Sequence, residues 1–137
     1  MDQSIGRLIA RIHRGIYNQV ADQLKDKDID VGQFFFLCFI QNNEGKTQEQ
    51  IARGILLDKA TVSKGIKRLV DLGYVSKEVN PDDKREYKIY ATKKAKAFKP
   101  ELDIIYNEIY DRLHQNLDKN EIKQLQSLLM TIYKTFE

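Results

Sequence analysis

Six polar or basic side chains, Lys59, Thr61, Ser63, Lys64, Lys67 and Arg68, crowd the run "DKATVSKGIKRL". On a helix they lie opposite Val62, Ile66 and Leu69, so a helix that buries those three presents all six outward. That face suits nucleic acid. Lys and Arg reach guanine edges or phosphate oxygens, while Thr and Ser bond to bases or backbone. A second basic pair, Lys84 and Arg85, ends the run "NPDDKR", where turn residues interrupt a strand-like alternation. A helix in the major groove leaves the following element over the phosphates and the adjacent minor groove, where a tip carrying Lys84 and Arg85 can insert. Asp83, beside these cations, is expected to orient Arg85 by pairing with it.

The elements that must hold these groups can be read from periodicity. In "QEQIARGILLDKATVSKGIKRL" a first short helix opens at Thr47, with Gln50 three residues later as a capping box. It offers Ala52 as the small residue at a close helix crossing and Ile51 and Ile55 as its buried face. Asp58 caps the second helix, which runs to about Leu72 and ends at Gly73. Leu56 stands in the turn where many helix-turn-helix units have glycine. A non-glycine residue in the left-handed region costs roughly 1 kcal/mol, so a remodelled turn is expected. Gly65 weakens its helix by about 1 kcal/mol relative to alanine; close packing and close approach to DNA would each justify it, and both remain open.

Around this centre, Ile5, Leu8, Ile9, Ile12, Ile16, Val20 and Leu24 form one stripe of a long helix over 4–24, with Arg7, Arg11 and Arg14 largely off it. Val31 to Gln41 reads as a short helix apolar on most sides, hence central. Tyr74 to Val79 and Arg85 to Ala91 alternate as strands about a turn at Asn80 to Lys84. Thr92 caps a long helix with Pro100 as an expected kink or break, and a last helix carries Ile122, Leu125, Leu128, Leu129, Ile132 and Phe136. The expected fold is mainly α with a small β-hairpin wing: a winged helix-turn-helix over 30–98, flanked by helices over 1–25 and 99–137, all within one domain spanning 1–137.

The 137-residue length suits one domain. From Glu44 to Lys96 there are 13 Lys/Arg against 8 Asp/Glu, leaving 10 against 12 elsewhere, so the basic excess belongs to the segment with the candidate contacts. No apolar run approaches the roughly 20 residues that span a bilayer, and a soluble, cytoplasmic protein without a membrane partner is expected. One cysteine, Cys38, excludes an intramolecular disulfide and a cysteine-based zinc site, and His13 and His114 are far apart, so neither metal nor cofactor is expected. Cys38 lies in "FLCFI", where apolar surroundings raise a thiol pKa; packing is favoured over redox sensing. No glycine-rich phosphate loop or nucleophile motif is present, and no enzyme activity is assigned.

The run "DDKREYKIYAT" resembles the wing signature of the MarR family of transcription regulators, Asp-x-Arg followed after three residues by Leu-x-Leu-Thr. Asp83, Arg85 and Thr92 match, and Ile89 and Ala91 replace the two leucines. "DKATVSKGIKRLVDLGYV" is similar to the family's recognition helix and the glycine turn after it, and the helix order fits over essentially the whole chain. The resemblance implies a homodimer whose first and last helices interlock, bound to a pseudo-palindromic site on double-stranded DNA, commonly as a repressor released by a small aromatic or phenolic effector. An effector pocket would draw on Arg11, Arg14, Tyr17 and Phe35. The competing readings are a winged-helix architectural DNA-binding protein and a winged-helix protein-interaction module.

Overall fold

The computed structural model describes residues 4–137. The chain runs α1 (Ile5–Gln23), α2 (Val31–Gln41), β1 (Lys46–Thr47), α3 (Gln48–Ile55), α4 (Lys59–Asp71), β2 (Val75–Asn80), β3 (Asp83–Ala91), α5 (Lys93–His114) and α6 (Lys119–Lys134). These residues form two compact units, one ending at Ile105 and the other comprising Tyr106–Glu137.

The first unit is built around α2. Asp30 opens this helix with a reciprocal capping box to Gln33, and Val31, Phe34, Phe36, Leu37, Cys38 and Ile40 are buried. Against it pack α3, through Ile51 and Ala52, and α4, through Val62, Ile66 and Leu69. Only the last part of the α1 stripe joins this core: Val20 and Leu24 are buried, whereas Ile5, Leu8, Ile9 and Ile12 are exposed.

The glycine question is answered by α2. A Cβ placed on Gly65 would lie 2.8 Å from both Cε2 and Cζ of Phe36, whose side chain is buried. Gly65 therefore serves close packing of α4 on α2. Gly54 does the same for α3, where a Cβ would come within 2.4 Å of Phe39 Cζ.

Three expectations need correction. The helix-turn-helix turn is not remodelled: Leu56 itself takes the left-handed conformation, φ 61° and ψ 42°. Its N–H and that of Leu57 both donate to the Ala52 carbonyl, which satisfies the end of α3 and offsets the strain. The hairpin turn is shorter than Asn80 to Lys84, since β2 extends to Asn80 and β3 begins at Asp83, with Asn80 and Asp83 paired. Finally, of the kink or break expected at Pro100, the break is absent: α5 continues through it. The lost N–H costs one helical bond, but Ala95 and Leu102 on either side are fully buried and hold the helix to the core.

A branched side chain at Leu56 would sharpen the strain, because a β-branched residue at positive φ is a steric outlier. L56V is expected to lower stability by about 1 kcal/mol, seen as a reduced denaturation midpoint with unchanged slope.

In the second unit, Asp118 and Glu121 form a capping box at the start of α6. His114 stacks on Tyr110 at 3.8 Å between ring centroids. A groove beside these rings is lined by Tyr106, Leu113, Leu117 and Ile122. Leu125, Leu128, Leu129 and Ile132 of α6 stay exposed, and Phe136, beyond the helix, is 83% exposed. No described helix is long and apolar enough to cross a membrane.

Candidate nucleic-acid interface

The buried side of α4 dictates its exposed side. With Val62, Ile66 and Leu69 fully buried, Lys59, Thr61, Ser63, Lys64, Lys67 and Arg68 all stand exposed on the helix. The Asp58 carboxylate caps α4, accepting from Thr61 N at 2.8 Å and from Thr61 Oγ1 at 2.8 Å. These bonds, the backbone one first, hold the Asp58 carboxyl below the usual carboxylate range. They also change what Thr61 can offer. Its hydroxyl proton is committed to Asp58, so outward it presents lone pairs and a methyl group, matched to an adenine or cytosine amino group or to a thymine methyl.

The wing is braced from both sides. Its sheet has the order β1-β3-β2, all antiparallel. The two-residue strand β1 pairs Lys46 with Ile89 and Thr47 with Lys88, Gly45 N donates to Ile89 O at 2.8 Å, and Ala91 N donates to Glu44 Oε1 at 2.8 Å. Thr47 then caps α3 through its box with Gln50. One short segment thus ties the wing to the helix-turn-helix. Sequence periodicity missed β1, because two residues carry no alternation and "NNEGK" reads as a turn.

At the tip, Asn80 Nδ2 donates to Glu86 Oε1 at 2.7 Å and its Oδ1 accepts from Asp82 N at 3.0 Å. Asn80 is buried, and both ends of its amide are used to close the turn. Lys84 and Arg85 follow, both exposed. The Asp83 carboxylate accepts from Arg85 N at 3.0 Å, from Nε at 3.2 Å and from Nη2 at 3.5 Å. The Arg85 side chain nevertheless remains 91% exposed. This pairing, through the guanidinium first, holds the Asp83 carboxyl below its ordinary value. At such exposure the ion pair adds little stability; it aims a cation.

The other candidates are placed differently. Arg11, Arg14 and Tyr17 stand exposed on α1, while Phe35 on α2 is half-buried, edge-on to Phe34 at 5.0 Å. Cys38 is buried, and desolvation pushes its thiol up to about 12, which disfavours the thiolate. Among the described residues no group of three or more His, Cys, Asp or Glu is arranged to hold a metal.

Comparison with known proteins agrees with this geometry. Residues 27–86 match the sequence model of the MarR family. The HTH-type transcriptional regulator YybA of Bacillus subtilis is 32% identical over 94 residues, a match spanning 69% of this chain but only 63% of that protein. The crystal structure of the transcriptional regulator SlyA superposes with a TM-score of 0.82 at 29% identity, covering 98% of this chain and 94% of the other. A mutant MarR from E. coli complexed with operator DNA superposes with a TM-score of 0.77 at 26% identity, covering 93% and 92%. With the recognition-type helix, the braced wing and the surrounding helices all in place, the chain belongs to the MarR family of winged helix-turn-helix transcriptional regulators.

Proposed function

We propose that this regulator acts as a homodimer on a pseudo-palindromic operator in double-stranded DNA, as a repressor, with α4 in the major groove and the Lys84/Arg85 tip against the neighbouring minor groove. The observation that carries this reading is the α4 face: six exposed polar or basic side chains on a helix pinned by three fully buried ones. Such a face is rigidly presented without touching the core. Dimerisation is supported by apolar surface in each unit, Ile5, Leu8, Ile9 and Ile12 on α1 and Leu125, Leu128, Leu129 and Ile132 on α6, more than a solvated surface carries as isolated residues. Two-fold symmetry sets the two α4 helices about 34 Å apart along the duplex.

Selection from a random duplex pool at near-physiological salt tests this reading. A two-fold symmetric winner bound by a dimer, preferred over random DNA by about 10³ or more, is expected. Duplex affinity without enrichment would favour an architectural binder. No duplex affinity even at low salt would favour a protein-interaction module.

The division of labour between helix and wing has its own readout. R85A is expected to weaken binding about tenfold and to lower the salt slope by about one, while T61A changes base preference with little change in slope. Uniform losses on all sequences from both variants would contradict it. Release by a small aromatic or phenolic effector would draw on Arg11, Arg14, Tyr17 and Phe35; titration of candidate aromatic acids against the DNA complex tests that part.

A further inference from the structure

A cluster outside the proposed DNA face converges on the far end of α4. Lys94, in the first turn of α5, donates from Nζ to the Leu72 carbonyl at 2.7 Å and to Asp28 Oδ2 at 2.9 Å, and its ammonium lies 4.3 Å from the Tyr74 ring centroid. The Tyr74 hydroxyl donates to Asp28 Oδ1, and Tyr74 also packs on Phe98 of α5 at 5.8 Å between ring centroids. Thr92 closes the other side, donating from Oγ1 to Gly73 O at 2.6 Å and from its N–H to Tyr74 O at 3.1 Å.

Leu72 is the C-cap of α4, so its carbonyl is among those a helix end leaves without an internal partner, and a cation there also complements the helix dipole. The three residues that leave α4, Leu72 to Tyr74, are thereby held by the α1–α2 connection through Asp28 and by the start of α5 through Thr92 and Lys94. The Lys94 and Asp28 side chains are 48% and 45% exposed. Exposed ion pairs contribute little to global stability, so the value of this one lies in what it connects.

We propose that Lys94 is a positioning residue: it clamps the C-terminal end of the recognition helix to α5 and to the α1–α2 connection, and so sets how α4 is presented to DNA without contacting DNA. The clamp rests on the DNA-binding reading above for its functional consequence, though not for its mechanics. Lys94 carries two roles that no neighbouring residue duplicates in the cluster. It is the donor to the Leu72 carbonyl and the cation beside Asp28, whose carboxyl the Lys94 bond, then the Tyr74 bond, holds below the usual range.

The test compares the full-length chain with K94M and K94R. K94M keeps the aliphatic stem and removes charge and donors; K94R keeps both. Two readouts are needed: amide exchange at Leu72, Gly73 and Tyr74, and affinity for the duplex selected above as a function of salt. K94M is expected to exchange at those amides about tenfold faster and to bind the duplex about tenfold more weakly, with the salt slope and melting temperature close to the parent's. K94R is expected to restore most of both losses. A slope lower by about one in K94M would mean that Lys94 meets a phosphate directly, and would overturn the positioning role. So would unchanged affinity in a folded K94M. If the parent chain binds no duplex, the DNA-binding reading fails, and the clamp is judged by exchange alone: equal exchange in all three proteins overturns it.

Discussion

Replacing Lys64 and Lys67 together with glutamate is expected to weaken duplex binding by at least about 10²-fold, with native stability changed by no more than about 0.5 kcal/mol. Both side chains are exposed on α4, so reversing their charge removes no packing. The loss arises from two cations no longer available to phosphates or guanine edges, and from two new carboxylates facing a polyanion. Because counterion release scales with the number of neutralised phosphates, the salt slope should also fall by about two if both lysines meet the backbone. Filter binding across a salt series, with a thermal melt of the same preparation, checks both. A variant that melts like the parent and binds duplex equally well would show that α4 is not the DNA face.

The second large effect concerns how α4 is seated. G65A is expected to destabilise the fold by up to about 2 kcal/mol, since overpacking a filled core costs about 1–3 kcal/mol and alanine returns about 1 kcal/mol of helix propensity. Exposed glycines in helices usually behave in the opposite way, so the sign is diagnostic. The reason is geometric: the new methyl would sit 2.8 Å from two ring carbons of the buried Phe36. Shortening the obstructing side chain should therefore reverse it. In an F36L background G65A is expected to become neutral or stabilising, a coupling of about 1 kcal/mol or more in a double-mutant cycle of denaturant midpoints. Additive effects would mean that α4 and α2 do not meet at this point.

Local patterning carried much of the architecture. The caps at Thr47, Asp58 and Thr92, the glycine end of α4 and the apolar face of α2 each follow from side-chain chemistry within a few residues, and the structure shows each of them. The exposed face of α4 was legible for the same reason: its complement, Val62, Ile66 and Leu69, has helical spacing and is buried. The departures came where a rule of residue type met a compensating contact. Pro100 reads as a kink or break, yet flanking burial keeps α5 continuous. Leu56 reads as a strained turn residue that would remodel the turn, yet the bonds to the Ala52 carbonyl hold it in the left-handed conformation.

From the sequence alone one could determine the helices, the existence of the hairpin, where α2, α3, α4 and α5 begin, and which face of α4 is polar, because caps and periodicity act over three or four positions. Contacts between residues far apart in the chain leave no such pattern, and these only the tertiary structure decided. Gly65 serves Phe36 across the α2–α4 packing. Thr61 spends its hydroxyl proton on Asp58 only three positions away, but through a choice of rotamer that residue type does not reveal. The wing is anchored by the two-residue strand β1 and by Glu44, too short and too polar to register as structure. Lys94 reaches Asp28 and Leu72 across 66 and 22 positions, and a lysine in a basic stretch announces none of that until folding brings its partners within hydrogen-bond range.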